Sequence, residues 1–461
     1  MTEVGGDARS PRPAKRQGLL AALGRPARLV ATGFALAILL GTGLLSLPIA
    51  TEGGGSASLV TAFFTSSSAV SVTGLSAVDT ASYWSTFGEL TILVLLQVGG
   101  FGVMTLASML AVLVSPRLRL RFNLTVQQET AALSLGEIRQ VVLGVAKLSL
   151  FFEATTMAAL TLRLVWGYDR SIGSAAYEGL FHAVSAFNNG GFALFSDSLV
   201  RYISDPFICI PIALAVVVGS LGFPVLLELR RELFSPSNWS LHTKLTLLVS
   251  GILLLVGPLL ITAMEWNNSR TLGTLSIPDR LMAGWFHGVM PRSGGFNSID
   301  IGAMNSESLL VMDSLMFIGG GSASTAGGIK VTTFAVLVLV ILAEVRGEPD
   351  VRAFNRTIPT SVQRQALTVV LISSVVVVFS TLLILAITGL SLDIALFETM
   401  SAFATVGLST GATPSMPPAA HVILAILMFA GRLGPITLAT ALATRERNTR
   451  YQLPEERPIV G

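Results

Sequence analysis

The chain has 461 residues, 52% of them hydrophobic and only 12% charged, with a formal net charge of +3. Soluble domains carry about 25% charged residues, so a water-soluble enzyme and a nucleic-acid-binding surface are both excluded as the main design. One cysteine, Cys209, rules out an intramolecular disulfide and reads as a small core residue, and four scattered histidines offer no zinc spacing.

Residues 1–28 are basic and rich in Pro and Gly, and a span-length apolar stretch follows, which reads as a cytoplasmic tail rather than a cleaved signal. Apolar segments then recur at about 29–49, 90–114, 141–166, 207–229, 245–264, 309–342, 367–387 and 422–443. Each approaches or exceeds the ~20 residues that cross a hydrocarbon core. None alternates as a strand would. The expectation is an all-α polytopic membrane protein with eight spanning helices and short cytoplasmic tails, 1–28 and 445–461.

The basic residues sort themselves between these spans. Arg9, Arg12, Lys15, Arg16, Arg25 and Arg28 precede the first span, and Arg117, Arg119, Arg121 and Arg139 lie between the second and third. Arg230, Arg231 and Lys244 separate the fourth from the fifth, and Arg346, Arg352, Arg356 and Arg364 the sixth from the seventh. Arg445, Arg447, Arg450 and Arg457 follow the eighth. All fall on one side if the spans alternate, and the positive-inside rule makes that side cytoplasmic.

Each outer segment holds a half-length apolar stretch that ends in glycine. The glycines are Gly74, Gly191, Gly295 and Gly407, about 110 residues apart. Ten residues before each stands an aromatic (Phe64, Phe181, Trp285, Phe397), and Leu75, Phe192, Phe296 or Leu408 follows it. Four pseudo-repeats of helix, pore loop and helix are therefore predicted: 29–114, 115–235, 236–345 and 346–444. A stretch too short to span reads as a re-entrant helix, tolerable at membrane depth only beside protein or a water-filled cavity. Its partially negative C-terminal end favours a cation near the membrane centre, and glycine lets carbonyls turn onto a common axis. The predicted ring comprises Val72, Thr73 and Gly74; Asn189, Gly190 and Gly191; Ser293, Gly294 and Gly295; and Thr405, Val406 and Gly407. Its backbone carbonyls can replace the hydration shell of a potassium ion, the one metal ion expected at this chain.

The sixth span is interrupted by Gly319, Gly320, Gly321, Ser322, Ala323, Ser324, Thr325, Ala326, Gly327 and Gly328. Such a stretch must line a pore or a protein cavity, or else mark a helix kink. Lys330 is followed by Val331, which breaks any likeness to a phosphate-binding loop. Arg432 lies in the eighth span, where a charge is expensive; a functional site, snorkelling and pairing with Glu153 of the third span are the alternatives. His182, His287 and Glu398 on the short helices are expected to make structural hydrogen bonds. Asp79, Asp197 and Asp300 after the loops are either turn caps or cation attractors at the mouth.

At these motifs the sequence resembles the Trk/Ktr/HKT superfamily of potassium transporters, most closely its KtrB-type subunits. The matching segments begin at Ser71, Ala186, Arg292 and Ala404, joined by the break before Lys330 and by Gly431, Arg432, Leu433 and Gly434. The resemblance covers the chain from about Leu29 and lacks the two extra N-terminal helices of TrkH-type members. It implies potassium uptake across the cell membrane, with no enzymatic chemistry and no bound cofactor. It implies too that the break, with Lys330 and Arg432, gates the pore under a cytosolic ring of nucleotide-binding RCK-type subunits. A homodimer in membrane lipid is expected, with sodium as a candidate stimulator. The alternative within the superfamily is a sodium-permeable transporter. Those members often carry serine at the first filter glycine, here Gly74.

Overall fold

A computed structural model of the chain describes residues 26–114 and 135–434, so both tails and the connection between the second and third spans lie outside the described residues. The described chain is helical apart from one two-residue hairpin. In order come α1 (Pro26–Leu45), α2 (Leu59–Val70), α3 (Thr86–Val114), α4 (Leu135–Tyr168), α5 (Ile172–Phe187), α6 (Pro206–Leu221) and α7 (Phe223–Glu232). Then follow α8 (Leu241–Glu265), α9 (Ile277–Val289), α10 (Ser306–Phe317), α11 (Val331–Arg346), α12 (Thr360–Thr388), α13 (Leu392–Phe403) and α14 (Pro418–Leu433). The hairpin pairs β1 (Arg352–Ala353) with β2 (Arg356–Thr357) between α11 and α12.

The unit repeats as predicted: long helix, short helix, long or broken helix. Each short helix packs on the long helix before it, α2 on α1, α5 on α4, α9 on α8 and α13 on α12. A serine stands at the N-cap of every short helix: Ser58, Ser171, Ser276 and Ser391. Three of these accept the N–H of the third helical residue, at 3.1 Å for Thr61, 3.2 Å for Ser174 and 3.4 Å for Asp279, satisfying a donor that helix geometry leaves orphaned.

Among the described residues, four helical segments are long and apolar enough to cross a membrane unaided: Thr86–Thr105, Arg139–Tyr168, Leu241–Glu265 and Thr360–Thr388. The other spans differ from straight rods for identifiable reasons. The fourth, expected as one run, bends by 99° between α6 and α7. The hinge is Gly222, at φ +93°, followed within α7 by Pro224, a backbone that L-residues avoid beside a residue with no N–H to give. The sixth is split into α10 and α11 where glycine interrupts the apolar run. The eighth reaches Gly434, which adopts the Gly222 conformation at φ +82°; its remainder lies outside the described residues.

In the first, second and fourth repeats the third helix also carries a glycine pressed on its own short helix. A Cβ at Gly99, Gly219 or Gly431 would strike the main-chain oxygen of Val70, Phe187 or Phe403, the last residue of the short helix in that repeat. The negative ends of α2, α5 and α13 are thereby drawn tight against the bundle. Cys209 is buried in the core, its thiol against the Tyr202 carbonyl at 3.3 Å, a packing role as expected.

Candidate functional site

The four loops that follow α2, α5, α9 and α13 share one backbone pattern. The residue two before each glycine has positive φ: Val72 at 53°, Asn189 at 64°, Ser293 at 78° and Thr405 at 47°. The glycines do too: Gly74 at 95°, Gly191 at 66°, Gly295 at 72° and Gly407 at 90°. The intervening Thr73, Gly190, Gly294 and Val406 do not. Non-glycine residues rarely adopt positive φ, so four in register mark a conformation that the surroundings enforce.

The loops close a ring. The atoms nearest a Cβ on Gly74 would be those of Gly190 and Gly191. A Cβ on Gly191 would stand 2.6 Å from the Gly295 Cα, one on Gly295 would stand 2.7 Å from the Val406 oxygen, and one on Gly407 would run into Thr73 and Gly74. Each glycine thus abuts the next repeat, and no side chain fits between them.

Hydrogen bonds from the short helices hold the loops. In three repeats the same main-chain bond recurs: Thr73 N to Ser68 O at 2.8 Å, Gly190 N to Ser185 O at 2.6 Å and Val406 N to Ser401 O at 2.9 Å. A second set catches the chain three residues beyond the glycine. His182 Nε2 accepts from Leu194 N at 3.3 Å, His287 Nε2 from Ser298 N at 3.4 Å, and Glu398 Oε1 from Thr410 N at 2.8 Å. The expected structural role of these three residues is what the geometry shows, and in the first repeat Thr65 stands at the equivalent position with its hydroxyl unpartnered.

Beyond the ring opens a cavity of about 340 Å³, lined by all four glycines and by Ser76, Asp79, Asn297, Asp300 and Ser409. Asp79 and Asp300 line it while capping turns, accepting from Ala81 N and Gly302 N, each at 3.0 Å. The turn-cap reading of these two aspartates is what the geometry shows. Asp197 instead pairs with Arg201 at 2.7 Å.

The other side of the ring meets the break in the sixth span, which touches residues preceding the glycines. Thr325 Oγ1 donates to Asn189 Oδ1 at 2.8 Å, and Gly327 N donates to Ser293 Oγ at 3.4 Å. The break also mends its neighbours. Gly321 N and Thr325 N donate to Ser220 O and Gly219 O at 2.7 and 3.2 Å, and Phe223 N donates to Ala323 O at 3.1 Å across the Gly222 hinge. Its own ends are tied by Gly319 N to Ile329 O at 2.9 Å and Val331 N to Gly320 O at 3.1 Å. Three cations grip its carbonyls. Lys330 Nζ donates to Ala326 O at 2.6 Å, Arg292 Nη2 to Gly319 O at 3.4 Å, and Arg432 Nη1 to Thr325 O.

Arg432 is buried and does not pair with Glu153, which corrects that alternative. Its second nitrogen donates to Gly99 O at 3.4 Å, while Glu153 accepts from Gln97 at 3.1 Å and Asn188 at 3.3 Å. Arg292, overlooked as a polar anchor, was legible as a lone arginine inside a glycine motif. The helix glycines Gly99, Gly219 and Gly431 were legible too, each about 25 residues after a ring glycine.

Comparison with known proteins agrees with this architecture. Residues 38–451 match the TrkH family, described as cation transport proteins. The chain is 38% identical over 429 residues to the Ktr system potassium uptake protein B of Bacillus subtilis, covering 92% of this chain and 95% of that one. It is 36% identical over 446 residues to the protein of that name from Vibrio alginolyticus, covering 95% and 96%. It is 30% identical over 448 residues to the potassium/sodium uptake protein NtpJ of Enterococcus hirae, covering 95% and 97%. The crystal structure of the potassium transporter TrkH from Vibrio parahaemolyticus superposes with a TM-score of 0.70 at 19% identity, over 90% of this chain and 85% of that chain, a likeness of fold. The chain is a multi-pass membrane protein that belongs to the TrkH family of cation transport proteins.

Proposed function

We propose that this chain takes up potassium through the ring formed by Gly74, Gly191, Gly295 and Gly407. The observation that carries this reading is the four-fold alternation of positive φ, which turns successive carbonyls toward one side of each loop and brings the loops together. A ring of carbonyl dipoles can replace the water around a dehydrated monovalent cation. The pore-helix C-termini, pressed inward by Gly99, Gly219 and Gly431, add their negative ends to it. Two relatives above are named for potassium uptake and a third for potassium and sodium, which keeps a sodium-permeable transporter as the second reading.

The test is ion flux into liposomes holding the purified chain. Potassium is expected to enter down its gradient far faster than into empty vesicles, with sodium lagging and with any stimulation by external sodium read in the same assay. Equal or faster sodium entry would replace potassium by the second reading.

Below the ring, the break with Lys330 and Arg432 serves as the gate in this reading, because it lies across the ring's inner side and its carbonyls are held by fixed cations. Control is assigned to a cytosolic nucleotide-binding RCK-type ring, in line with relatives named as parts of a Ktr system. The membrane part acts as a homodimer in the cell membrane, both tails inside. This orientation is testable. Reporter fusions after Arg139 or Arg356 are expected to read out as cytoplasmic, and single cysteines introduced as Asp169→Cys or Ser269→Cys, both exposed positions, are expected to label from outside. Reversed accessibility at any of them breaks the alternation of the spans.

A further inference from the structure

We propose that Ser68 and Ser401 are specificity-determining residues that hold two of the ring's four carbonyls in place, an inference that rests on the ring being the ion path. Both serines lie six residues before a ring glycine and are fully buried. Gly74 N donates to Ser68 Oγ at 3.0 Å, and Gly407 N donates to Ser401 Oγ at 3.1 Å. Each of those amides shares a planar trans peptide with the preceding carbonyl, so N–H and C=O point in opposite directions. Tethering the Gly74 amide to its pore helix therefore aims the Thr73 carbonyl the other way. Tethering the Gly407 amide does the same for Val406. Both carbonyls lie at seams between repeats, Thr73 O against Gly407 and Val406 O against Gly295, as the untethered Gly190 O does against Gly74.

The other two repeats lack this tether. Ser185 occupies the same position before Gly191 and is just as buried, yet its hydroxyl has no partner. In the third repeat the position is Val289, which has no hydroxyl at all. The residue ahead of the ring glycine follows the same division. It is Thr73 or Val406 where the serine holds, and Gly190 or Gly294 where nothing does. Glycine pairs leave the peptide freer to rotate. The ring accordingly has a held half, formed by the adjoining fourth and first repeats, and a compliant half formed by the second and third. Discrimination between potassium and sodium depends on oxygens that resist closing around the smaller ion. That resistance resides in the held half.

The experiment compares potassium and sodium uptake by the full chain in liposomes. Ser68→Ala and Ser401→Ala are each expected to lower the potassium-to-sodium ratio by about three- to tenfold, the scale of one lost buried hydrogen bond. Ser68→Thr, which keeps the hydroxyl, is expected to restore most of it. Ser185→Ala is the internal control. It removes an equally buried hydroxyl and keeps the main-chain oxygen, so the ratio should stay at the wild-type value. A merely structural role would lower protein yield or the flux of both ions in all three alanine variants and leave the ratio alone. A wild-type ratio in both Ser68→Ala and Ser401→Ala, or an equal fall in Ser185→Ala, overturns the inference. If Ser68→Ala does not fold, Ser401→Ala decides alone. Gly74→Ser separates the two levels: an unchanged ratio there removes the ring as ion path, whereas a lowered ratio there with wild-type serine variants removes only the tethers.

Discussion

Gly74→Ser is expected to lose most of the discrimination between potassium and sodium, a fall of about tenfold or more in the uptake ratio. Two costs coincide at this position. Gly74 has φ +95°, a region where an L-residue costs roughly 1–3 kcal/mol. In addition, its new Cβ would run into the Gly190 carbonyl, with the Gly191 Cα at 3.0 Å. The first loop must then rotate or retreat, and either motion moves the Thr73 and Gly190 carbonyls at the seams of the proposed ion path. A mismatch of ~1.4 kcal/mol between the two ions is already a tenfold change in preference. Gly191→Ser and Gly295→Ser should be more damaging to total flux, because each Cβ would press on the Cα of the other glycine across their shared seam, at 2.6 and 2.5 Å respectively. The measurement is paired uptake of the two ions in liposomes at matched protein density. An unaltered ratio in Gly74→Ser, with flux preserved, would show that ions pass elsewhere.

The architecture was legible because membrane physics leaves few options. Apolar segments of spanning length and four glycine-ended half-segments between them lead to the helical, four-loop arrangement that the described residues adopt. Register was legible for the same reason, since aligning on Gly74, Gly191, Gly295 and Gly407 also aligned an aromatic before and a large apolar residue after. What the sequence hid was partnership. Nothing in the spacing tells that Arg432 reaches Thr325 rather than Glu153, because both options put a buried cation beside an oxygen at similar depth. The 99° turn at Gly222 was hidden as well. A glycine inside an apolar run reads as one span until its Gly–Phe–Pro sequence is matched with the Ala323 carbonyl that pairs with Phe223 from another repeat.

The break in the sixth span shows the same division from the other side. A run of glycines and serines offers little side chain to pack, so composition alone points to a segment that moves at little cost. In the fold it is almost wholly buried and bonded to the second, third and fourth repeats. Small residues there permit close approach rather than looseness: a Cβ at Gly320 would meet the Ser220 oxygen at 2.6 Å, and one at Gly327 the Ala404 oxygen at 2.5 Å. Motion of this segment is therefore a cooperative event that releases several bonds together, which suits a two-state gate better than a flexible tether would.

Arg432→Ala is expected to raise potassium flux in the absence of any cytosolic partner by roughly tenfold to a hundredfold. Arg432 holds the Thr325 carbonyl of the segment proposed as the gate and anchors it to Gly99 of the first repeat. A hydrogen bond to a charged group contributes about 1.5–3 kcal/mol, and each 1.36 kcal/mol removed from a barrier is about tenfold in rate. The charge itself opposes a cation leaving the ring, so its removal lowers the electrostatic barrier in the same direction. Arg432→Lys keeps the charge but not the two-pronged reach, and should fall between the variant and wild type. Deleting residues 322–326 removes the obstruction outright and should raise flux further. That deletion also takes away the Ala323 and Thr325 bonds that brace the Gly222 hinge, so its protein should be less thermally stable than Arg432→Ala. The uptake ratio of potassium to sodium is the check on where each variant acts, since the ring keeps its own tethers at Ser68 and Ser401 in both. Variants that insert normally, hold the wild-type ratio and still conduct no faster than wild type would place the barrier outside this segment.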